Sequence, residues 1–116
     1  MVILYLENHA GFAKQVTRQF LSSHKVTIVP SLSEARSALA SRKYDLVLSD
    51  YDLDDGKGDV FVHECRVACP HLPIIAVSSH DTGNAALMKA GASAVCAKMK
   101  FGGIQKVISD LLAGRT

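Results

Sequence analysis

The feature that most constrains the fold is a repeated alternation between short aliphatic segments and helical patterns. The aliphatic segments have the length and composition of strands that are buried on both faces, and they cover residues 2–6, 26–29, 45–49, 74–77 and 94–97. Strands that alternate with helices predict a parallel sheet with helices packed on both of its faces.

The intervals between these strands carry recognisable helix signals. Ser-Leu-Ser-Glu at 31–34 is a capping box that opens the second helix. The third helix is predicted to begin after Gly58 and to end before Pro70, and a short fourth helix at 85–90 is predicted to stop at Gly91. The first and last helices have apolar stripes, formed by Phe12, Val16 and Phe20 and by Ile104, Val107, Ile108, Leu111 and Leu112.

The length of 116 residues predicts one domain over residues 1–116. A net charge of +2 gives no basis for direct binding to nucleic acid or to a membrane surface. Three cysteines without a C-x-x-C motif, and a first segment without a basic stretch, predict a reducing, cytoplasmic location. No apolar run approaches the ~18 residues that a membrane span needs.

Five strand–helix units of this length predict an α/β, flavodoxin-like (βα)5 three-layer sandwich whose parallel sheet has the strand order 2-1-3-4-5. Ligands of such sheets bind at the carboxyl ends of the strands, near the point where the strand order reverses. The residues expected there are Glu7 and Asn8 after the first strand, Asp50 after the third, Ser78 after the fourth and Lys98 after the fifth.

These side chains predict phosphoryl chemistry. Neighbouring carboxylates raise one another's pKa unless a cation lies between them, and Mg²⁺ accepts one or two carboxylates while it keeps several waters. Asp50 stands alone at its strand end and is the candidate nucleophile that would form an acyl phosphate. The ammonium of Lys98 and the hydroxyl of Ser78 would hold phosphoryl oxygens through hydrogen bonds.

The whole chain resembles the receiver domains of two-component response regulators. The resemblance rests on the closing amphipathic helix and on the segments ILYLEN (3–8), DLVLSDYDLDDGKG (45–58), LPIIAVSS (72–79) and KAGASAVCAK (89–98). It implies that Asp50 accepts a phosphoryl group from a sensor histidine kinase or a histidine phosphotransfer protein. It also implies that Ser78 is the switch hydroxyl and that Lys98 is the family's conserved lysine.

The same resemblance implies a cofactor and further partners. Mg²⁺ would be held by Glu7, Asn8, Asp50 and the backbone carbonyl of Asp52. The surface of the fourth helix, fifth strand and fifth helix would bind an effector domain or protein, or a second copy of the chain as a homodimer. The domain is expected to be a phosphoacceptor and not an enzyme.

Three residues depart from the family pattern. Asn8 stands where the second acid of the metal pair is usual, so one negative charge is lost and Mg²⁺ is expected to bind more weakly. Val95 occupies the position of the aromatic switch, and a valine has no ring that can swing. Met99 replaces the usual proline after Lys98, so the following loop is expected to take a different course.

Simpler roles remain open for several of these residues. Asp50 and Ser78 could bond only to backbone at their strand ends, and Lys98 could be a surface charge. Asn8 is an equally good candidate for the N-cap of the first helix. The carboxylates of Asp52, Asp54 and Asp55 are expected to be solvated turn residues.

The sequence also allows three alternative interpretations to be weighed. A zinc site at His63, Cys65, Cys69 and His71 is not expected, because positions two apart on a helix face away from each other. A haloacid dehalogenase-type phosphatase would use Asp50 and Asp52 as a catalytic pair, but its later paired-acid motif is absent from the sequence. A pseudo-receiver that signals by binding alone is the main alternative, favoured by Asn8 and Val95.

Overall fold

The computed structural model describes residues 1–114, so the last two residues of the predicted domain, 115 and 116, lie outside the described residues. The strands are β1 (Val2–Leu6), β2 (Lys25–Val29), β3 (Leu46–Ser49), β4 (Asp52–Leu53), β5 (Gly56–Lys57), β6 (Ile74–Ala76) and β7 (Ala94–Val95). The α-helices are α1 (Ala10–Phe20), α2 (Leu32–Ser41), α3 (Gly58–Ala68), α4 (Asp81–Ala90) and α5 (Ile104–Ala113).

The main sheet is parallel and has the strand order β2-β1-β3-β6-β7. This is the predicted order 2-1-3-4-5, because β4 and β5 form a separate antiparallel hairpin that follows the third strand of the main sheet. The α/β flavodoxin-like fold is therefore confirmed. Within residues 1–114, no helix is long and apolar enough to cross a membrane.

The side chains of the central strands alternate between two apolar clusters, one on each face of the sheet. Leu4 and Leu6 of β1 belong to the cluster that also contains buried residues of α2, α3 and α4. Ile3 and Tyr5 belong to the cluster that contains buried residues of α1 and α5. Strands covered on both faces have no polar side, which explains their continuous aliphatic sequences.

Two predicted boundaries are wrong by more than one residue. The fourth helix begins at Asp81 and not at residue 85. Gly83 and Asn84 are poor helix formers, which is why the sequence predicted a later start. Tertiary contacts nevertheless hold both residues in the first turn. The fifth strand pairs only over Ala94–Val95, and the chain turns at Ala97 into a short 3-10 helix, Lys98–Gly103.

The hairpin formed by β4 and β5 is attached to the start of α2. Asp55 accepts hydrogen bonds from the backbone N–H groups of Leu32 (2.6 Å) and Ser33 (3.1 Å), which lowers the pKa of its carboxyl group. The predicted cap of α2 is confirmed at Ser31, whose Oγ accepts a hydrogen bond from the backbone N–H of Glu34 at 3.1 Å. The Ser31 hydroxyl also contacts the Glu34 carboxylate at 3.3 Å. Asp55 is therefore a second cap of α2 and not a purely solvated turn residue.

Replacing Tyr5 by phenylalanine is expected to raise the free energy of unfolding by about 1 kcal/mol. Tyr5 is fully buried, and its hydroxyl has no hydrogen-bond partner among the described residues, so folding removes this group from water without compensation. Urea unfolding of the two proteins measures the difference. Tyr44→Phe is the control, because Tyr44 retains 8% exposure. A clear loss of stability in Tyr5→Phe would contradict the prediction.

Candidate functional site

Glu7 and Asp50 emerge side by side at the carboxyl edge of the sheet. Leu6 of β1 is in register with Ser49 of β3, so the residues that follow them are neighbours. Backbone hydrogen bonds hold both beyond the strand ends, from Glu7 N–H to Val29 O (2.9 Å) and from Asp50 N–H to Leu6 O (3.0 Å). Glu7 is 1% exposed and Asp50 is 5% exposed, so both carboxyl groups are largely shielded from bulk solvent.

Lys98 supplies the positive charge between these two carboxylates. Its Nζ atom lies 2.9 Å from Asp50 Oδ2 and 2.8 Å from Glu7 Oε1. Burial disfavours the ammonium, but the two carboxylates outweigh burial and hold the pKa of Lys98 above its ordinary value. Burial raises the pKa of Glu7, although contact with the Lys98 ammonium opposes this.

An aromatic cluster fixes the segment that carries Lys98. Phe101, in the 3-10 helix that begins at Lys98, is buried and packs its ring against those of Tyr5 (5.8 Å between centroids), Phe20 (6.2 Å) and Phe12 (6.3 Å). The Lys98 ammonium also lies 5.3 Å from the centre of the Phe12 ring. The predicted inward stripe of α1 is therefore confirmed, and it supports the position of the lysine.

Ser78 lies at the same edge of the sheet. Its carbonyl accepts a hydrogen bond from the backbone N–H of Lys98 at 3.1 Å, and its Oγ accepts one from the backbone N–H of His80 at 3.2 Å. The residue is 2% exposed, so its hydroxyl is shielded from bulk solvent. The structure thus brings Glu7, Asp50, Ser78 and Lys98 together, as the strand ends predicted.

Asn8 and Asp52 have different surroundings. Helix α1 has His9 at its N-cap position, so the alternative that Asn8 caps this helix is wrong. Asn8 is half-buried and directly follows Glu7, where its role as a metal ligand stays a prediction. The exposed carboxylate of Asp52 forms an ion pair with Lys57, and this contact lowers the pKa of the Asp52 carboxyl group. Only the backbone carbonyl of Asp52 therefore remains a candidate for the site.

The donor set fits Mg²⁺. Lys98 approaches Glu7 Oε1 outside hydrogen-bond geometry, so this buried oxygen accepts no hydrogen bond from residues 1–114. Between residues 1 and 114, no group of three or more His, Cys, Asp or Glu side chains is arranged to hold a metal ion. Two carboxylates and an amide are nevertheless sufficient for Mg²⁺, which binds through one or two carboxylates and retains waters.

The cysteine and histidine residues of α3 do not have the properties of a zinc site. Cys65 is buried, and burial raises the pKa of its thiol to about 11, so the thiolate that zinc requires is disfavoured. His63, two residues earlier on the same helix, is exposed. Cys65 is part of the apolar cluster on this face of the sheet.

Two residues that support the site were not predicted from the sequence. Asn84 of α4 is buried and forms two hydrogen bonds with the main chain of Ser78. Gly58 begins α3 so close to Asp50 that a Cβ atom would lie 2.0 Å from the Asp50 carbonyl oxygen. The position of Gly58 directly after the acidic loop was the one feature of the sequence that pointed to it. The contact of Asn84 with Ser78 and that of Gly58 with Asp50 cannot be predicted from local sequence.

Receiver-type α/β domains are the class that this structure defines. They have a flavodoxin-like sheet with two carboxylates, a lysine and a buried hydroxyl at its carboxyl edge. The chain belongs to the response regulator receiver domain family, whose model matches residues 3–108. No curated protein matches the sequence significantly.

Solved structures of receiver domains share the fold of this chain. The receiver domain of the Francisella response regulator 1452 is 16% identical, with a TM-score of 0.84 over 99% of this chain and 98% of the other. The receiver domain of NtrX from Brucella abortus is 22% identical (TM-score 0.84, 96% and 98%). TrrA from Thermotoga maritima, solved in complex with Mg²⁺-BeF, is 18% identical (TM-score 0.85, 95% and 97%).

Proposed function

We propose that this domain accepts a phosphoryl group on Asp50 in a two-component signalling pathway. The donor is a sensor histidine kinase or a histidine phosphotransfer protein, the reaction depends on Mg²⁺, and the domain acts in the cytoplasm. The observation that carries the proposal is the pair of contacts from Lys98 Nζ, 2.9 Å to Asp50 and 2.8 Å to Glu7, at a buried sheet edge that also contains Ser78.

The side chains have separate tasks in this reaction. Tyr51 N–H donates to Asp50 Oδ1 at 2.7 Å and Lys98 contacts Oδ2, so the carboxylate is held in one orientation. One of its oxygens forms the new bond to phosphorus as the bond to the donor imidazole nitrogen breaks, and the imidazole leaves as the free base. Lys98 and Ser78 then bind the oxygens of the transferred group.

A magnesium ion is part of the proposed reaction. Glu7, Asn8, Asp50 and the backbone carbonyl of Asp52 would hold Mg²⁺, which neutralises charge on phosphoryl oxygens when it is bound. Asn8 contributes an amide oxygen where a second acid would contribute a charge. Weak binding of Mg²⁺ in the absence of phosphate is therefore expected.

Phosphorylation would change a surface that binds partners. The modified Asp50 carries nearly two negative charges, and Ser78 would move toward the new oxygens. The surface formed by α4, β7 and α5 would then change its affinity for an effector or for a second copy of the domain. In this role the domain is a phosphoacceptor and not an enzyme that acts on a separate substrate.

Incubation with acetyl phosphate and Mg²⁺ is expected to add one phosphoryl group to the wild-type protein and none to Asp50→Asn. Intact-mass spectrometry measures the modification, and hydroxylamine should remove it because an acyl phosphate reacts with this nucleophile. Asp54→Asn is the matched control, since Asp54 is an exposed carboxylate of the same loop. If neither acetyl phosphate nor a histidine kinase modifies the wild-type protein, the binding-only pseudo-receiver alternative would replace the proposal.

A further inference from the structure

Asn84 is a buried polar side chain that the proposed reaction does not use. It lies in the first turn of α4 and is 5% exposed. Its Oδ1 accepts a hydrogen bond from the backbone N–H of Ser78 at 2.9 Å, and its Nδ2 donates one to the backbone carbonyl of Ser78 at 3.1 Å. The amide thus pairs with both main-chain groups of Ser78, as the backbone of a neighbouring strand would.

Ser78 therefore connects two segments of the site. The carbonyl that accepts the bond from Asn84 also accepts the bond from the backbone N–H of Lys98 at 3.1 Å. A displacement of the Ser78 peptide must either move α4 and the Lys98 segment with it or break these buried hydrogen bonds. Leaving a buried donor or acceptor unpaired is unfavourable, so concerted movement is favoured.

The packing between α4 and Ser78 leaves little space to absorb such a displacement. Gly83 precedes Asn84, and a Cβ atom there would lie 2.6 Å from Ser78 Oγ and 3.0 Å from Tyr51 Cβ. The backbone of the first turn of α4 is thus in direct contact with the Ser78 hydroxyl. Closely packed elements of this kind shift together, because they do not deform continuously.

We propose that Asn84 is a positioning residue for Ser78 and that it couples the movement of Ser78 to the first turn of α4. This inference rests on the proposed function, because phosphorylation of Asp50 is the event that would move Ser78. It gives the domain an output route that does not need an aromatic ring at Val95, a residue that is 41% exposed. The two-point amide contact replaces the ring as the link between the site and the partner-binding surface.

Amide NMR spectra of the ¹⁵N-labelled protein with beryllium fluoride and Mg²⁺ test this coupling. In the wild-type protein, shifts are expected at Asp50, Ser78 and Lys98 and along Asp81–Ala90. In Asn84→Ala, the shifts at Asp50 and Lys98 should remain, whereas those along α4 should fall by about half or more. A purely structural role would lower stability but would leave the α4 response to the probe unchanged.

Two further variants make the experiment specific. Thr82→Ala changes an exposed side chain of the same helix and should keep the full α4 response. Asn84→Asp keeps an acceptor for Ser78 N–H but has no donor for the Ser78 carbonyl, so it should also lose α4 shifts, and it replaces Asn84→Ala if that variant does not fold. An α4 response equal to wild type in the folded Asn84 variants would overturn the coupling. A wild-type spectrum without shifts at Asp50 and Lys98 would overturn the proposed function itself.

Discussion

Replacement of Gly58 by alanine is expected to lower the free energy of unfolding by about 3 kcal/mol or more. A Cβ atom at Gly58 would lie 2.0 Å from the carbonyl oxygen of Asp50 and 2.9 Å from Ser49 Oγ. The Asp50 carbonyl oxygen belongs to the backbone, and it also accepts a hydrogen bond from Ser49 Oγ at 2.9 Å. The start of α3 must therefore move away from the candidate phosphoacceptor.

Urea unfolding measures this loss, and Gly11→Ala provides a control of opposite sign. Gly11 is exposed on α1, and a Cβ atom there would have no neighbour within 4 Å. Alanine at that position should stabilise the helix by about 0.5–1 kcal/mol, because glycine loses more backbone entropy on folding. If Gly58→Ala were as stable as the wild-type protein, the close approach between α3 and Asp50 would be wrong.

Replacement of Arg66 by alanine is expected to lower the free energy of unfolding by about 3 kcal/mol, although Arg66 has no carboxylate partner in the structure described for residues 1–114. Its guanidinium donates to Gly91 O from Nε (3.0 Å) and Nη2 (2.7 Å) and to Leu72 O from Nη1 (2.8 Å). Further acceptors are Pro70 O (2.9 Å), Ser93 Oγ (3.3 Å) and Cys69 O (3.4 Å).

These contacts explain the size of the effect. One side chain joins the end of α3, the loop before β6 and the end of α4, and its removal leaves several partly buried carbonyls without donors. Arg66→Lys should recover little, because an ammonium cannot reproduce the planar array of donors. Arg36→Ala, which removes an exposed ion pair with Glu64 (2.7 Å), should cost at most about 1 kcal/mol. Equal losses in the two alanine variants would contradict this account.

The strands and their order were accessible from sequence for a physical reason. Strands buried on both faces must be aliphatic throughout, so each is visible as a short apolar run, and β1 has the predicted bounds. Helix ends were less accessible, because tertiary contacts overrode local propensity. Asn84 in particular is a weak helix former, yet its hydrogen bonds to Ser78 hold it inside α4.

Most of the candidate site could also be predicted from the sequence. Because parallel strands end at one edge, Glu7, Asp50, Ser78 and Lys98 had to meet there once the strand order was fixed. The ion pairs of Lys98 with Glu7 and Asp50 agree with that expectation. The sequence could not show that Asp55 caps α2, since this contact joins residues 23 positions apart.

The sequence by itself determined the order of elements and the chemical groups at the sheet edge, because apolar periodicity and strand-end position are local properties. The tertiary structure alone decided how Asn84 binds Ser78, why Gly58 cannot carry a side chain, and why Arg66 is tied to three segments. These contacts depend on distances between chain segments that are remote in sequence, and such distances are fixed only when the layers pack.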